Sequence, residues 1–159
     1  MGKQPLAKIV LITPEIPQNT GNIIRLCANV GAELHLVEPL GFKLTESYLR
    51  RAALDYSDMT NVVVHNSTVS FFDATDITRT YAAVSDGTSL YTEPNYQPGD
   101  VMIFGPESIG LPQDVTDRID PGKLIKIPMI PGNRSLNLSN AAAIIVYEMW
   151  RQMDFYVPL

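Results

Sequence analysis

Three polar segments of this 159-residue chain carry side chains whose types and spacing could do chemistry. The densest covers residues 127–140, with Ile127, Pro128, Met129, Pro131, Gly132, Arg134, Ser135, Leu136, Asn137, Ser139 and Asn140, and opens onto an apolar run at 141–148. Prolines and a glycine stop regular pairing there, which leaves backbone N–H and C=O groups free for another partner. The Ser and Asn side chains could cap the helix that follows or hold a ligand. A second segment, 104–112, contains Gly105 and Gly110, which permit close backbone approach or a positive φ. It also holds Glu107, whose carboxylate could accept hydrogen bonds from a ligand or from backbone N–H groups. The third, 14–25, contains Asn19, Thr20 and Arg25. Thr20 reads as the N-cap of a helix over 21–30. That sets Arg25 near the loop end, where its guanidinium fork could grip a phosphate or simply lie in solvent.

Other chemistries are disfavoured. The chain has no G-x-G-x-x-G, no G-x-x-x-x-G-K-[ST] and no acidic residue at the ribose-binding offset, which argues against dinucleotide and P-loop sites. Cys27 is the sole cysteine, so neither an intrachain disulfide nor a thiolate metal cluster is expected. His35 and His65 lie far apart without ligand spacing, and no metal is expected. Lys3 and Lys8 flank no long apolar run, and no stretch is long enough to span a bilayer, so a reduced, cytoplasmic setting is expected with no membrane partner. The net charge of −5 counts mildly against a nucleic-acid partner. A local patch outweighs the sum, and Arg25, Lys43, Arg50, Arg51 and Arg134 are the candidate phosphate contacts.

The elements that must position these residues follow from periodicity. Strand-like runs fall at 8–12, 33–37, 61–65, 80–85, 101–104 and 123–127, and helical segments at 21–30, 45–54, 68–74, 113–119 and 138–154. Their alternation predicts one α/β domain over 1–159 with a mostly parallel sheet and helices on both faces. Such sheets bind ligands at the carboxyl ends of their strands, where each polar loop is expected to lie. In the last helix Leu138, Ala142, Ile145 and Met149 form one stripe, while Ala141, Ile144 and Trp150 add apolar surface elsewhere. That helix is either central within one subunit or covered by a second copy.

Taken together, three groupings resemble the three motifs of the SPOUT RNA 2′-O-methyltransferases: Asn19-Thr20-Gly21-Asn22 with Arg25, then Phe104-Gly105-Pro106-Glu107 with Gly110-Leu111-Pro112, then Ile127-Pro128-Met129 with Ser135-Leu136-Asn137-Leu138-Ser139. Further stretches at 14–17, 36–42 and 50–56 are similar to the small, single-domain branch that acts on the tRNA wobble nucleotide. The resemblance implies an α/β fold with a C-terminal trefoil knot, a homodimer, and S-adenosylmethionine as cofactor. It implies that Ala83, Gly105, Glu107, Ile127, Met129, Ser135, Leu136 and Asn140 meet the cofactor. Arg25 is implied as a catalytic residue that stabilises the developing alkoxide or grips a neighbouring phosphate, since guanidinium stays protonated. Asn19 is implied to orient the ribose or support Arg25. Without an appended RNA-binding domain, tRNA would meet the dimer surface itself.

The sibling reading is the same chemistry on ribosomal RNA or at another tRNA position. An RNA-binding relative without catalysis would be expected to have damaged motifs, whereas Asn19, Arg25, Glu107 and Ser135 are all present.

Overall fold

The computed structural model describes residues 3–55, 57–59 and 61–158; Tyr56, at the end of one of the quoted stretches, lies outside them. Strands β1 (Ala7–Ile12), β2 (Glu33–Val37), β3 (Val62–His65), β4 (Thr80–Ala83), β5 (Ser89–Leu90), β6 (Asp100–Phe104) and β7 (Leu124–Lys126) form one sheet. The helices are α1 (Pro17–Val30), α2 (Glu46–Arg51), α3 (Thr68–Asp73), α4 (Gln113–Thr116) and α5 (Leu138–Gln152). The order across the sheet is β3-β2-β1-β6-β4-β7-β5, and each neighbouring pair is parallel.

Side chains alternate across a strand, and here the alternation divides the core in two. Ile9 and Leu11 of β1, Leu34 and Leu36 of β2, and Met102 and Phe104 of β6 pack with Ile23, Cys27 and Val30 of α1 and Ala142, Ile145 and Met149 of α5. Val10, Ile12, Val37, Val101 and Ile103 point the other way, against Phe71 and Phe72 of α3 and Val115 of α4. A parallel sheet needs both faces covered, and the helices on both faces expected from the sequence are present. Each fully buried Ile, Leu or Val contributes about 1.5–3 kcal/mol of apolar transfer.

The helix starts differ from expectation in one instructive place. α1 begins at Pro17, not Gly21, and its N-cap is Ile16, which offers no side-chain cap. Proline is well suited to the first helical position because its missing N–H would be unpaired there anyway. Thr20 is therefore inside the helix, fully buried, with no hydrogen-bond partner for its hydroxyl. The longer helix also moves Arg25 eight residues past Pro17, roughly 12 Å along the axis. β5 is an addition to the expected strands, and β4 ends at Ala83 rather than 85.

On α5, Ala142, Ile145 and Met149 are fully buried within this one chain, so that stripe is core. Trp150 is also taken up internally: its indole N–H donates to the Tyr156 carbonyl at 2.7 Å and its ring meets Phe155 edge-on. Ile144 and Tyr147 remain exposed, at 37% and 45%. No helix among the described residues is long and apolar enough to cross a membrane.

Candidate active site

The α1 N-terminus lacks a side-chain cap from its own N-cap residue, and the backbone donors that lead into it are met from far along the chain. Glu107 Oε1 accepts the Glu15 N–H at 2.9 Å, and Oε2 accepts the Ile16 N–H at 2.5 Å. The Asn19 side-chain amide adds a third bond to Oε2 at 3.3 Å. A carboxylate at a helix N-terminus also complements the positive end of the helix dipole. Of the two partners considered for Glu107, the structure gives it backbone N–H groups.

The last segment joins through Asn137. Its Oδ1 caps α5, accepting from the Ser139 and Asn140 backbone N–H groups at 2.9 and 3.3 Å and from the Ser139 hydroxyl at 2.7 Å. Its Nδ2 donates to Asn19 Oδ1 at 3.0 Å. Asn19 thus uses both ends of its amide, one toward each of the other segments. An unbroken chain of hydrogen bonds, Asn137 to Asn19 to Glu107 to the start of α1, ties the three polar segments together.

Beside this chain lies a cleft of about 790 Å³. It opens where β4, β6 and β7 end, the carboxyl edge at which open parallel sheets bind ligands. Asn19, Ala83, Gly105, Glu107, Ile127, Met129, Ser135 and Leu136 all line it, as does the 84–86 turn that follows β4. Gly105 and Gly110 divide the two expected roles between them. A Cβ on Gly105 would lie 2.3 Å from the Leu111 nitrogen, whereas Gly110 has open space but a φ of +69°. Among the described residues, no Lys, Arg or His lines the cleft, and its carboxylates are Asp86 and Glu107. That lining suits an apolar or cationic small molecule and disfavours a free phosphate ester.

The remaining expected residues lie elsewhere. Asn140 is exposed in the first turn of α5, with its backbone capped and its side chain outside the cleft. Arg25 is exposed, does not line the cleft, and donates from its guanidinium to the Ala53 carbonyl just beyond α2. That bond brings Arg25 to the C-terminal end of α2, whose last turn carries the exposed Arg50 and Arg51. Lys43 and Arg134 are exposed. Sequence reasoning gives no role to Glu15 or Ser108, and counts Asn137 only among the Ser and Asn side chains that could cap the last helix or hold a ligand. For Asn137 a signal exists, since Asn directly before an apolar helix is a strong N-cap.

On the α3 face, a smaller hollow of about 360 Å³ holds Lys8, His35, His65, Arg79 and Asp100. The two histidines, far apart in sequence, are brought together by the β2–β3 pairing, with His35 Nδ1 2.8 Å from His65 Nε2 and His35 Nε2 2.6 Å from Glu33 Oε1. Buried Asp100 takes both forks of Arg79, at 2.6 and 2.5 Å.

A parallel α/β sheet with a nucleoside-sized cleft at its carboxyl edge, closed by loops from three parts of the chain, defines a cofactor-binding α/β enzyme domain. The chain belongs to the SpoU rRNA Methylase family, whose match spans residues 7–147. It is 50% identical over 147 residues to the tRNA (cytidine(34)-2′-O)-methyltransferase of Methylovorus glucosotrophus, covering 92% of this chain and 96% of that protein. Against the enzyme of the same name from Escherichia coli K12 it is 47% identical over 150 residues, covering 94% and 96%. A solved structure concerned with the 2-OH methylation of C/U34 on tRNA superposes with a TM-score of 0.85 at 40% identity, covering 97% of this chain and 94% of that one. The architecture is the α/β SPOUT methyltransferase fold expected from the three motifs.

Proposed function

We propose that the protein transfers a methyl group from S-adenosylmethionine to the ribose 2′-hydroxyl of the wobble nucleotide, cytidine or modified uridine at position 34, of tRNA. One observation carries the reading: the three motif segments are hydrogen-bonded into a single wall of one cleft, in a chain about half identical to enzymes of that name. The cleft lining fits the cofactor. Its apolar and backbone-rich walls at Gly105, Ile127, Met129 and Leu136 suit an adenosine, and a lining without cationic side chains among the described residues suits a sulfonium. Asn140 is read as a helix-start residue and not as a cofactor contact.

The cofactor, when bound, supplies the electrophilic methyl group. The chain's own part is to align the ribose oxygen with it, which is mainly an entropic contribution. Asn19 is read as the residue that orients the ribose, a role supported by its place in the cleft wall and the bonds at both ends of its amide. For Arg25, its exposed bond at the end of α2, outside the cleft, supports the phosphate-gripping role over direct contact with the alkoxide. Lys43 and Arg134, both exposed, are read as further contacts to the tRNA backbone.

The trefoil knot is supported by the strand order, in which β7 is inserted between β4 and β5 and the Val84 N–H donates to the Ile125 carbonyl at 2.9 Å. A homodimer is supported by the exposed Ile144 and Tyr147 on α5. We read residues 1–159 as one methyltransferase domain acting in the cytoplasm. The test is incubation with labelled S-adenosylmethionine and unmodified tRNA, followed by nucleoside mapping. Label in a 2′-O-methyl nucleotide at position 34 is expected; label elsewhere, or none, contradicts the proposal.

A further inference from the structure

The Glu15 side chain takes no part in the Asn137–Asn19–Glu107 chain, yet it makes a long-range contact with Ser108, a residue that lines the cleft. Its Oε1 accepts both the Ser108 N–H, at 2.9 Å, and the Ser108 hydroxyl, at 2.7 Å; Oε2 lies 3.0 Å from the same hydroxyl. These bonds hold the Glu15 carboxyl below its usual range, the Ser108 backbone donor contributing most. The exchange is reciprocal, because Glu107, next to Ser108, accepts the Glu15 backbone N–H. Each of two loops therefore places a carboxylate on the other's donors, across more than ninety residues of sequence.

The base of this clasp is rigid. Behind Glu15 runs the loop after β2, whose Gly41 N–H donates to the Pro14 carbonyl at 2.9 Å. Gly41 approaches so closely that a Cβ there would lie 2.8 Å from the Glu15 carbonyl oxygen and 2.9 Å from its Cα. The other side is not so secured. The 105–110 loop belongs to no strand or helix, and within it the Gly110 N–H donates to the Pro106 carbonyl at 3.0 Å.

We propose that Glu15 is a positioning residue for cofactor binding. Anchored on Gly41, it holds Ser108 and so fixes the 105–110 loop in the shape that lines the cleft. This rests on the reading of the cleft as the S-adenosylmethionine site. The carboxylate is exposed and lies outside both core clusters, so its loss is expected to change the loop and not the fold.

The experiment is calorimetric titration of S-adenosylhomocysteine into the wild-type protein, E15Q, S108A and the double variant, with melting temperature measured on each. Each single change is expected to weaken binding about five- to tenfold, the size of one ordinary net hydrogen bond. The double variant is expected to bind no worse than the weaker single, because both changes remove the same interaction. G41A, which displaces the Glu15 backbone while leaving the carboxylate, is expected to weaken binding as well. The KM for S-adenosylmethionine should rise while kcat at saturation is kept. Additive losses, wild-type affinity in E15Q, or a melting temperature that falls in both E15Q and S108A would each overturn the positioning role. A wild-type protein that does not bind S-adenosylhomocysteine would instead overturn the reading of the cleft, and this inference with it.

Discussion

The Asn137 side chain donates to the Asn19 side chain at 3.0 Å, joining residues 118 positions apart. It does so while its own oxygen caps α5, so one residue both starts the last helix and fixes the first. N137A is expected to cost about 0.5–2 kcal/mol of stability through the missing cap. N137S retains a capping oxygen but loses the donor to Asn19. It should melt near the wild-type temperature and still lose most methyl transfer. Thermal melts paired with single-turnover rates check this.

Gly105 tests the cleft by shape alone. A methyl group there would collide with the backbone of Leu111 and Gly110, at 2.3 and 2.4 Å. G105A should therefore push the 106–111 loop out of place and reduce S-adenosylhomocysteine affinity by more than tenfold, read by calorimetry.

The two faces of α5 give opposite outcomes. Ile145 is core, so I145E is expected to unfold the chain by burying an unpaired charge. I144E changes an exposed position and should leave the fold intact while shifting a dimer toward monomer. Circular dichroism and analytical ultracentrifugation separate the two.

The histidine pair sets a pH dependence of stability. Burial is the main cause holding both imidazoles below their usual range. The spacing is satisfied with both rings neutral, His65 Nε2–H donating to His35 Nδ1 and His35 Nε2–H to Glu33. Above the unfolded value of about 6.5, neither state takes up a proton and the full stability is present. As pH falls below it, the unfolded chain is protonated first, so stability drops until the lower folded values are reached. The melting temperature should fall between pH 7 and pH 5, and less steeply in H65N.

Arg50 and Arg51 are exposed in the last turn of α2, close in sequence to the Ala53 carbonyl that Arg25 meets. Replacing both with Ala should weaken tRNA binding without altering S-adenosylhomocysteine affinity. The salt dependence should become shallower by about one unit of log–log slope for each phosphate released. An unchanged salt slope would remove them from the RNA surface.

Much of the fold is legible in the sequence. The continuous apolar run at 9–12 is written there, as suits a strand covered on both faces, but which face each of Ile9, Val10, Leu11 and Ile12 takes comes only with the sheet and its helices. The motif residues Asn19, Gly105, Glu107 and Ser135 likewise stand out as residues that could meet in one place. Local reading cannot supply partners from afar. Thr20 reads as a cap because Ser, Thr, Asp and Asn usually cap helices. The group at the start of α1 is instead Glu107, 91 residues from Ile16. The same inference misplaces Arg25, since its depth depends on where the helix begins. The His35–His65 contact requires the β2–β3 register, and the Glu15–Ser108 clasp requires the whole fold. β5 is two residues long, too short for any periodicity.

The proposed function depends on three distant segments forming one cofactor pocket. A crystal structure of the protein with S-adenosylhomocysteine tests it most directly. The nucleoside is expected between the 84–86 turn, the Gly105–Gly110 loop and Ser135–Leu136, with Asn19 still joined to Asn137. A nucleoside bound elsewhere, or the three segments drawn apart around it, would contradict the proposed function.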